Sequence, residues 1–496
     1  MRKGRRISKK EALSLTLRLS LPAILSQITS ILMQYIDASM TGRLGAAASA
    51  SIGLTSSSAW LIGGFLSSFA AGFSVQAAQA VGAGDSVRTK SILRQAVVTM
   101  AVLGSVLTVF CLAMSKPLPS LLGAEEMIWA DASAYAAIRS AFLLSSALEI
   151  LMLQMLQCSG DMRTPGLASA AMCFLDVIFN FLLIFPSRSF SFFGRECKIP
   201  GAGLGVRGAA LGTVLAVLLG ALVLSYLVLF RSPVLRLFGG ERRPASPKTG
   251  FPSPHRQEHS QGSVRRCRLR EWIPEKRTLN RALRIALPSA GENAALNFAQ
   301  IACTAIAAPL GTTAVAAHSF AVTAEAICYM PGYGIGSAAT TMVGQAVGAE
   351  RRDLAKSFAW MTTLLGMFLM GLAGGIMYFT CPAVFRLLTP DPAVQELGVS
   401  VLRIELFAEP LFAASIVAAA ALRGAGDVLI PALIHLLSVW GVRITLALIL
   451  VPRVGLAGIW IAMALDLSLR GILFLTRLGR GRWLGVLGQG ERSSRH

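Results

Sequence analysis

The chain repeats itself once at a constant offset. The phrase Gln79-Ala-Val-Gly-Ala returns as Gln345-Ala-Val-Gly-Ala, and the difference between positions 345 and 79 is 266 residues. The same offset aligns identical pairs along one ungapped register from about residue 21 to 165: Leu21-Pro22 with Leu287-Pro288, Leu44-Gly45 with Leu310-Gly311, Lys90-Ser91 with Lys356-Ser357, Gly160-Asp161 with Gly426-Asp427, and Pro165 with Pro431. This series predicts an internal duplication, and therefore a fold built from two similar halves.

Apolar segments long enough to cross a lipid bilayer recur along the whole chain. Hydrophobic residues make up 54% of the 496 residues, and charged residues only 14%. A helix of about 20 apolar residues crosses a hydrocarbon core of about 30 Å. We predict twelve spans, at residues 13–40, 52–80, 92–114, 131–158, 166–186, 204–230, 279–308, 318–346, 357–379, 396–422, 432–451 and 455–476. The predicted fold class is an all-α polytopic membrane protein.

Positive residues concentrate in three segments outside the spans. These are the tail 1–12, the connection 231–278 and the tail 477–496. Because cytoplasmic segments of membrane proteins are enriched in Lys and Arg, we expect both termini and the connection in the cytoplasm, in a multi-pass protein of the cell membrane. The net charge of +21 then reflects topology. Such segments typically contact anionic lipid, and no nucleic-acid partner is expected.

Each half contains an even number of spans, so both halves enter the membrane from the same side. Residues 13–230 and 279–476 are therefore predicted to be two six-helix bundles, related by a pseudo-two-fold axis along the membrane normal. The connection 231–278 is rich in Pro, Ser and basic residues, which indicates a mobile linker. The two bundles could then move relative to each other.

Acidic residues inside apolar spans are the best indicators of function, because an Asp at mid-bilayer costs about 3 kcal/mol on insertion scales. Asp37 lies in the first span, and Asp176 lies halfway along the fifth with Asn180 one turn later on the same helix face. The matching positions in the second half are Cys303 and Val442. Because these acids occur in only one copy of the repeat, they indicate a function specific to that half. A structural acid paired with a neighbouring helix is the alternative interpretation.

Further polar residues in the spans are candidates for a substrate cavity. Gln34 and Tyr35 precede Asp37, Gln300 is the equivalent of Gln34 in the second half, and Glu292 lies early in the seventh span. Glu292 faces either the cavity or a neighbouring helix. The pair Glu405 and Glu409 precedes Pro410, and we expect it near an outer end that water reaches.

Enzyme chemistry finds little support in the sequence. The eight cysteines show neither metal-site spacing nor a disulfide framework. A phosphate-binding loop of the form Gly-x-x-x-x-Gly-Lys-Ser/Thr is absent, so the sequence shows no ATP-hydrolysing site of that type. We expect no cofactor and no metal, apart from a monovalent cation at Asp37 and Asp176.

Several motifs together resemble the multidrug and toxic compound extrusion (MATE) transporters, and the resemblance covers nearly the whole chain outside the linker and tails. The motifs are the repeated Gln-Ala-Val-Gly-Ala, Asp37-Ala-Ser-Met-Thr-Gly42-Arg43-Leu44-Gly45, Gly160-Asp-Met-Arg-Thr-Pro165, Val315-Ala-Ala-His318, Pro331-Gly-Tyr-Gly334, Val343-Gly-Gln345 and Arg423-Gly-Ala-Gly-Asp427. The pair Leu175-Asp176 is similar to the DinF-like branch of that family.

The resemblance implies cation-coupled export, with Asp37 and Asp176 as the ion- or proton-responsive acids. It also implies that the Thr213 hydroxyl joins them. Related sequences often carry Asn where this chain has Met172. One oxygen ligand is thereby lost, so we expect coupling to protons in preference to sodium.

The expected function is therefore a secondary-active antiporter that exports organic, cationic or amphiphilic compounds by alternating access, working as a monomer. One alternative is a lipid-linked sugar flippase of the same superfamily, which would need several Arg or Lys residues in its cavity. The spans of this chain hold mainly acids. A polytopic membrane enzyme acting on lipid-linked substrates is the other alternative.

Overall fold

The computed structural model describes residues 8–122, 125–192, 195–238 and 272–484, most of which are helical. The first half contains α1 (Lys9–Gly42), α2 (Ala46–Ala83), α3 (Ser86–Met114), α4 (Leu118–Leu121), α5 (Glu126–Ala141), α6 (Leu143–Cys158), α7 (Arg163–Ile184), strands β1 (Pro186–Phe192) and β2 (Arg195–Ala202), and α8 (Gly205–Tyr226), which continues as a π-helical turn, Leu227–Arg231. The second half contains α9 (Lys276–Ala307), a 3-10 turn (Ala308–Leu310), α10 (Thr312–Gly348), α11 (Arg352–Leu388), α12 (Pro392–Glu405), a 3-10 turn (Leu406–Ala408), α13 (Glu409–Gly424), α14 (Leu429–Ser438), a π-helix (Val439–Ile444), α15 (Thr445–Val454) and α16 (Leu456–Arg480).

Local sequence signals account for where these helices begin and end. Ser8 and Glu11 form a reciprocal capping box at the start of α1, which satisfies two backbone N–H groups. Helix α2 ends at Gly84, whose φ of 74° is the left-handed conformation that glycine adopts without steric cost. The equivalent residue of the second copy is Glu350, and it has the same conformation with φ of 59°. The duplicated backbone is thus kept even where the glycine is not.

The helices fit the predicted membrane spans. In the part of the chain that the structure describes, ten helical segments are long and apolar enough to cross a membrane, and the pair α5–α6, bent by 50°, makes an eleventh. The remaining predicted span coincides with α10, which has 37 residues and contains Glu325 as its only charged residue. Its many Gly, Ser and Thr residues lower its hydropathy, but α1, α2, α11 and α13 pack around it.

The helices form two bundles that meet along a pair of equivalent contacts. Within the first bundle α1 packs on α7, α2 and α3 pack on α6, and α7 packs on α8. Within the second, α10 packs on α11 and α13, and α13 packs on α16. Between the bundles α1 packs against α10, and α2 against α9. The first and second spans of one half thus pair with the second and first spans of the other. The predicted all-α fold of two bundles about a pseudo-two-fold axis is confirmed.

The two copies of the repeated phrase cross each other where α2 and α10 end. A Cβ atom at Gly82 would collide with the backbone of Gln345, and a Cβ atom at Gly348 would collide with the backbone of Gln79. The repeat therefore needs glycine at both positions, because two backbones approach each other there. We call the side of the molecule on which this crossing lies the terminal face, since α1 begins and α16 ends on it.

A β-hairpin interrupts the register of the duplication. Strands β1 and β2 pair antiparallel between α7 and α8, where the sequence predicted only a connection. The corresponding helices of the second half, α15 and α16, are separated by a single residue, Gly455. The hairpin is thus an insertion in the first half, and it explains why the ungapped register does not continue through the last span of each half.

The predicted linker 231–278 is described only at its two ends, and residues 239–271 lie outside the described residues. The rings of Phe230 and Phe238 stack with centroids 5.4 Å apart, and Trp272 follows 6.4 Å from Phe238. The backbone N–H of Glu275 donates to the Gln95 side chain at 3.0 Å. Both ends of the linker therefore pack against each other and against the first bundle.

Candidate functional site

The packing of α1 against α7 brings the two predicted acids together. Asn180 donates from Nδ2 to Asp37 Oδ1 at 2.7 Å and to Asp176 Oδ2 at 3.1 Å. Thr213 of α8 lies near Asp176, and its hydroxyl donates to the carbonyl of Ala209 at 3.2 Å. Asp176 and Asn180 are essentially inaccessible to solvent, with 0% and 1% exposure. The four residues predicted for coupling thus form one cluster, which we call the acid cluster.

The acid cluster holds more acceptors than donors. Among the described residues no Lys or Arg lies within 4.0 Å of either carboxylate, and Arg139 of α5 acts on both at longer range. Asp176 Oδ1 and Asn180 Oδ1 are buried and accept no hydrogen bond from the described residues. Buried acceptors without donors are costly. A proton or a cation added to the cluster would therefore stabilise it.

Two glycines of α8 shape the wall of the acid cluster. Gly212 lies directly against Asn180 Oδ1, and a Cβ atom there would overlap this oxygen. Two turns further along α8, Gly220 accommodates the thioether of Met172. Position 172 is therefore filled by a side chain that packs against a glycine and is a weak ligand for a hard cation.

The residues predicted for a substrate cavity separate into two groups. Tyr35 lines a cavity of about 330 Å³ together with Arg43, Phe181 and Phe185, and its hydroxyl donates to the carbonyl of Thr323 in α10 at 2.5 Å.

The other group consists of Gln34, which is exposed, and Gln300, which is half-buried. Neither lines this cavity or the one described below. Their role in substrate binding stays a prediction.

Glu292 is buried and paired rather than free. Arg423 Nη1 donates to Glu292 Oε1 at 3.1 Å and to Oε2 at 3.3 Å, and His435 Nε2 lies 3.5 Å from Oε1. Arg423 follows directly after the predicted span 396–422. It lies in the last turn of α13, where its charge faces the negative end of the helix dipole.

A second cavity, of about 190 Å³, lies between the two halves near the terminal face. Helices α2, α6, α10 and α13 supply its walls. Gln157 and Arg423 both line it, and they are equivalent residues of the two halves because their positions differ by the repeat offset. We call this space the interface cavity.

Two buried arginines in the second half were not singled out from the sequence. Arg443 Nε lies 2.9 Å and Arg470 Nη2 3.0 Å from Asp466 Oδ2, and the Ser438 hydroxyl hydrogen-bonds to Asp466 Oδ1. The π-helix Val439–Ile444 carries Arg443, and π-helical turns are frequent at functional sites. The sequence does contain a signal for these arginines, since Arg is rare within an apolar span and usually has an acidic partner there.

The expectation that water reaches Glu405 and Glu409 is wrong. Both side chains have 0% exposure, and none of their carboxylate oxygens has a hydrogen-bond partner among the described residues. They are four residues apart and so share one helix face. The 3-10 turn at Leu406–Ala408 lies between them, and Glu409 packs against Gly374 of α11 inside the second bundle. In the described ranges, no group of three or more His, Cys, Asp and Glu side chains is placed to hold a metal ion.

The comparisons with known proteins agree with the fold. The MatE family model matches residues 22–182 and again residues 288–449. The two matches begin 266 residues apart, which is the offset of the internal repeat.

Relatives cover almost all of the chain. A probable multidrug resistance protein NorM of Thermotoga maritima is 25% identical over 469 residues, which are 94% of this chain and 92% of the relative. Among solved structures, a MATE transporter in complex with MaL6 has a TM-score of 0.81, and an outward-facing multidrug resistance MATE transporter of the MOP superfamily has 0.80. Each is 20% identical and covers 98% of both chains. The chain therefore belongs to the MatE family and is a multi-pass membrane transporter rather than an enzyme.

Proposed function

We propose that this transporter is a secondary-active antiporter that exports organic, cationic or amphiphilic compounds in exchange for protons by alternating access. We further propose that it works as a monomer with both termini in the cytoplasm, where the basic tails and linker contact anionic lipid. The terminal face is then the cytoplasmic face. The observation that carries the proposal is the acid cluster, in which Asp37 and Asp176 share one amide donor and, among the described residues, have no Lys or Arg within 4.0 Å.

A driving ion must bind two conformations with different affinity, or it cannot shift the equilibrium between them. The acid cluster lies between α1 and α7, and α1 also packs on α10 of the other half. When both carboxylates are charged, their repulsion favours a conformation that separates them or admits water. Protonation removes this repulsion and lets α1 and α7 pack closely. A change of charge in the acid cluster thus moves the helix that contacts the second bundle.

Protons are favoured over sodium by the ligands that the acid cluster offers. A sodium ion needs several oxygen ligands. The acid cluster supplies two carboxylates, the Asn180 carbonyl and the Thr213 hydroxyl, while Met172 contributes a thioether that already packs against Gly220. A proton needs only one acceptor. Sodium remains the alternative coupling ion.

The flippase alternative depends on cationic residues in the cavity. Arg423, Arg443 and Arg470 place three guanidinium groups in the second half, contrary to the expectation that the spans hold mainly acids. However, Arg443 and Arg470 share Asp466, and Arg423 is paired with Glu292. A pyrophosphate group would need several free cations at one place. The geometry therefore favours an exporter of organic compounds.

Transport in reconstituted vesicles tests the proposal. Purified protein is reconstituted into proteoliposomes, and efflux of the cationic dye rhodamine 6G is followed under a pH gradient or a sodium gradient, each imposed alone. We expect transport under the pH gradient, abolished by a protonophore and absent from vesicles that contain the Asp37→Asn variant. Transport that requires sodium and does not depend on the pH gradient would show that sodium, not the proton, is the coupling ion. Absence of transport under both gradients would overturn the antiporter proposal.

A further inference from the structure

The first and fifth spans of each half meet at one pair of equivalent residues. In the first half the Ser26 hydroxyl of α1 lies 2.8 Å from the Ser169 hydroxyl of α7, and the two share a hydrogen bond. In the second half, Glu292 of α9 lies 266 positions after Ser26, and His435 of α14 lies 266 positions after Ser169. His435 Nε2 is 3.5 Å from Glu292 Oε1. The duplication thus keeps this contact between two helices but changes its chemistry.

The contact is neutral in the first half and charged in the second. Arg423 donates from Nη1 to both carboxylate oxygens of Glu292, at 3.1 and 3.3 Å. Hydrogen bonds that involve an ionised group are roughly twice as strong as those between neutral groups. We call Ser26 with Ser169 the serine pair, and Glu292 with Arg423 and His435 the charged triad. The two copies of one contact therefore differ in strength.

Arg470 fixes the orientation of His435 within the charged triad. Arg470 Nη1 lies 3.0 Å from His435 Nδ1. Because a guanidinium only donates, Nδ1 accepts, and the ring proton of a neutral His435 is carried by Nε2, which faces Glu292. Glu292 and His435 are each 6% exposed, so water competes little for these contacts. Separating the helices would leave a buried carboxylate without its partners, which is costly. The charged triad thus ties α9 to α13 and α14.

The serine pair lies along the same line of contact as the acid cluster. Ser26 precedes Asp37 by 11 residues on α1, and Ser169 precedes Asp176 by seven on α7. These spacings are about three and two helical turns, so the serine pair and the acid cluster use the same faces of the two helices. In the second half, α9 and α14 combine the charged triad with no acid at the positions equivalent to Asp37 and Asp176. The responsive acids therefore occur where the helix contact is weak.

From this equivalence we propose that Glu292, Arg423 and His435 are positioning residues that hold α9 fixed in the second bundle, while α1 moves within the first. Helix α1 packs on α10 and α9 packs on α2, so each of the two equivalent helices also contacts the opposite half. Movement of α1 alone changes the α1–α10 contact and keeps the α2–α9 contact. The inference rests on the proposed alternating access and assigns the helix that moves.

Distances between paired spin labels test the inference. Leu21 of α1 and Leu287 of α9 are equivalent residues with the same exposure, 57%. Val102 of α3 and Phe368 of α11 are also equivalent and exposed, and they serve as reference positions. In a background with the native cysteines replaced, one protein carries Leu21→Cys with Val102→Cys, and a second carries Leu287→Cys with Phe368→Cys. Each spin-labelled pair is measured by double electron–electron resonance in lipid nanodiscs.

The two charge states of the acid cluster are compared at one pH, so that the charged triad is not titrated. Each labelled protein is measured with and without Asp37→Asn and Asp176→Asn, whose amides stand in for the protonated acids. We expect the distance in the first bundle to shift by about 2 Å or more between the two forms. The distance in the second bundle should stay the same.

Replacing the charged triad by its neutral equivalent tests what holds α9. The released variant carries at each position the residue of the first half: Glu292→Ser, Arg423→Gln and His435→Ser. We expect the distance distribution of the label pair in the second bundle to broaden, because α9 loses its charged contacts. The label pair in the first bundle serves as the control, and its distribution should keep its width.

The reverse exchange places the charged triad in the first half. The locked variant is Ser26→Glu, Gln157→Arg and Ser169→His. Its α1 distance should no longer shift, and the initial rate of rhodamine 6G efflux should fall roughly tenfold or more. The control Ser26→Ala with Ser169→Ala removes only a neutral hydrogen bond and should keep efflux within about threefold of the wild type. If the locked variant does not fold, the wild-type and released distances decide the question without it.

The outcomes that overturn the inference differ from those that overturn the transport proposal. Equal shifts of both distances would show that α9 moves as α1 does. A released variant with an unchanged distance distribution in the second bundle would show that the charged triad does not hold α9. In both cases efflux of rhodamine 6G by the wild-type protein under a pH gradient would leave the antiporter standing. A wild-type protein that shows neither efflux nor a shift of either distance would overturn both.

Discussion

Gln79 and Gln345, the first residues of the two copies of the repeated phrase, reach across the interface in opposite directions. Gln79 Nε2 donates to the carbonyl of Gly424 at 3.3 Å, and Gln345 Nε2 donates to the carbonyl of Cys158 at 2.9 Å. Cys158 and Gly424 are themselves equivalent residues, at the ends of α6 and α13. The duplication thus provides a reciprocal pair of hydrogen bonds that holds the two halves together at the terminal face.

Removing this pair of hydrogen bonds should open the terminal face. Each of these partly buried bonds contributes about 1 kcal/mol, so the double variant Gln79→Ala with Gln345→Ala should shift the equilibrium between the closed and open terminal face by about 2 kcal/mol, or roughly 30-fold. Cys158 is a suitable reporter because it is 3% exposed and lines the interface cavity. In a background with the other cysteines replaced, its modification by a maleimide should become faster. Gln34→Ala, at an exposed residue, is the control. Equal rates in all three proteins would argue against a closing role.

The acids of the acid cluster should be essential for transport but not for stability. Asp37→Asn and Asp176→Asn should each lower the initial rate of dye efflux by roughly a hundredfold, because the driving ion loses its differential binding. Expression and thermal stability should stay near those of the wild type, since amide and acid have similar volumes. The double variant should be little worse than either single one. Cys303→Ala and Val442→Ala, at the equivalent positions, should have much milder effects. Two Asn variants that transport at near wild-type rates would make the acids structural.

The sequence was most informative where a pattern has a single geometric meaning. The constant repeat offset predicted the equivalence of Gln79 and Gln345, and the spacing of Asp176 and Asn180 predicted a shared helix face. Which faces of two neighbouring helices meet depends on the rotation of each helix about its own axis. The spans are apolar on all sides, so their hydrophobic periodicity does not specify this rotation.

Two misplaced or overlooked residues show this limit. Glu405 was expected near water but lies inside the second bundle with 0% exposure, and the 3-10 turn after it leaves Pro392–Gly424 as one candidate span. Arg443 was overlooked because its partner Asp466 is 23 residues away.

The close contact between Gly212 and Asn180 predicts a sensitive position outside the predicted coupling residues. Gly212→Ala adds a methyl group that must displace the Asn180 side chain, and overpacking of this kind costs about 1–3 kcal/mol. Asn180 would then no longer bridge the two acids, so efflux should fall roughly tenfold or more. Gly63→Ala is the matched control, since a Cβ atom at Gly63 of α2 meets nothing within 4 Å. Equal transport by the two variants would show that Asn180 can move without consequence.

Asp466 should behave in the opposite way to Asp176, although both are fully buried acids in membrane spans. Asp466 neutralises Arg443 and Arg470, whereas Asp176 has no cation within ion-pair distance among the described residues. Removal of one partner from a buried ion pair leaves an uncompensated charge and costs about 3–5 kcal/mol. Asp466→Asn should therefore lower the melting temperature of the purified protein and its yield in the membrane, while Asp176→Asn should leave both nearly unchanged and stop transport. The triple variant Asp466→Leu, Arg443→Met and Arg470→Met removes the charges together and should recover much of the lost stability. A stable Asp466→Asn protein that fails to transport would instead place Asp466 in the coupling mechanism.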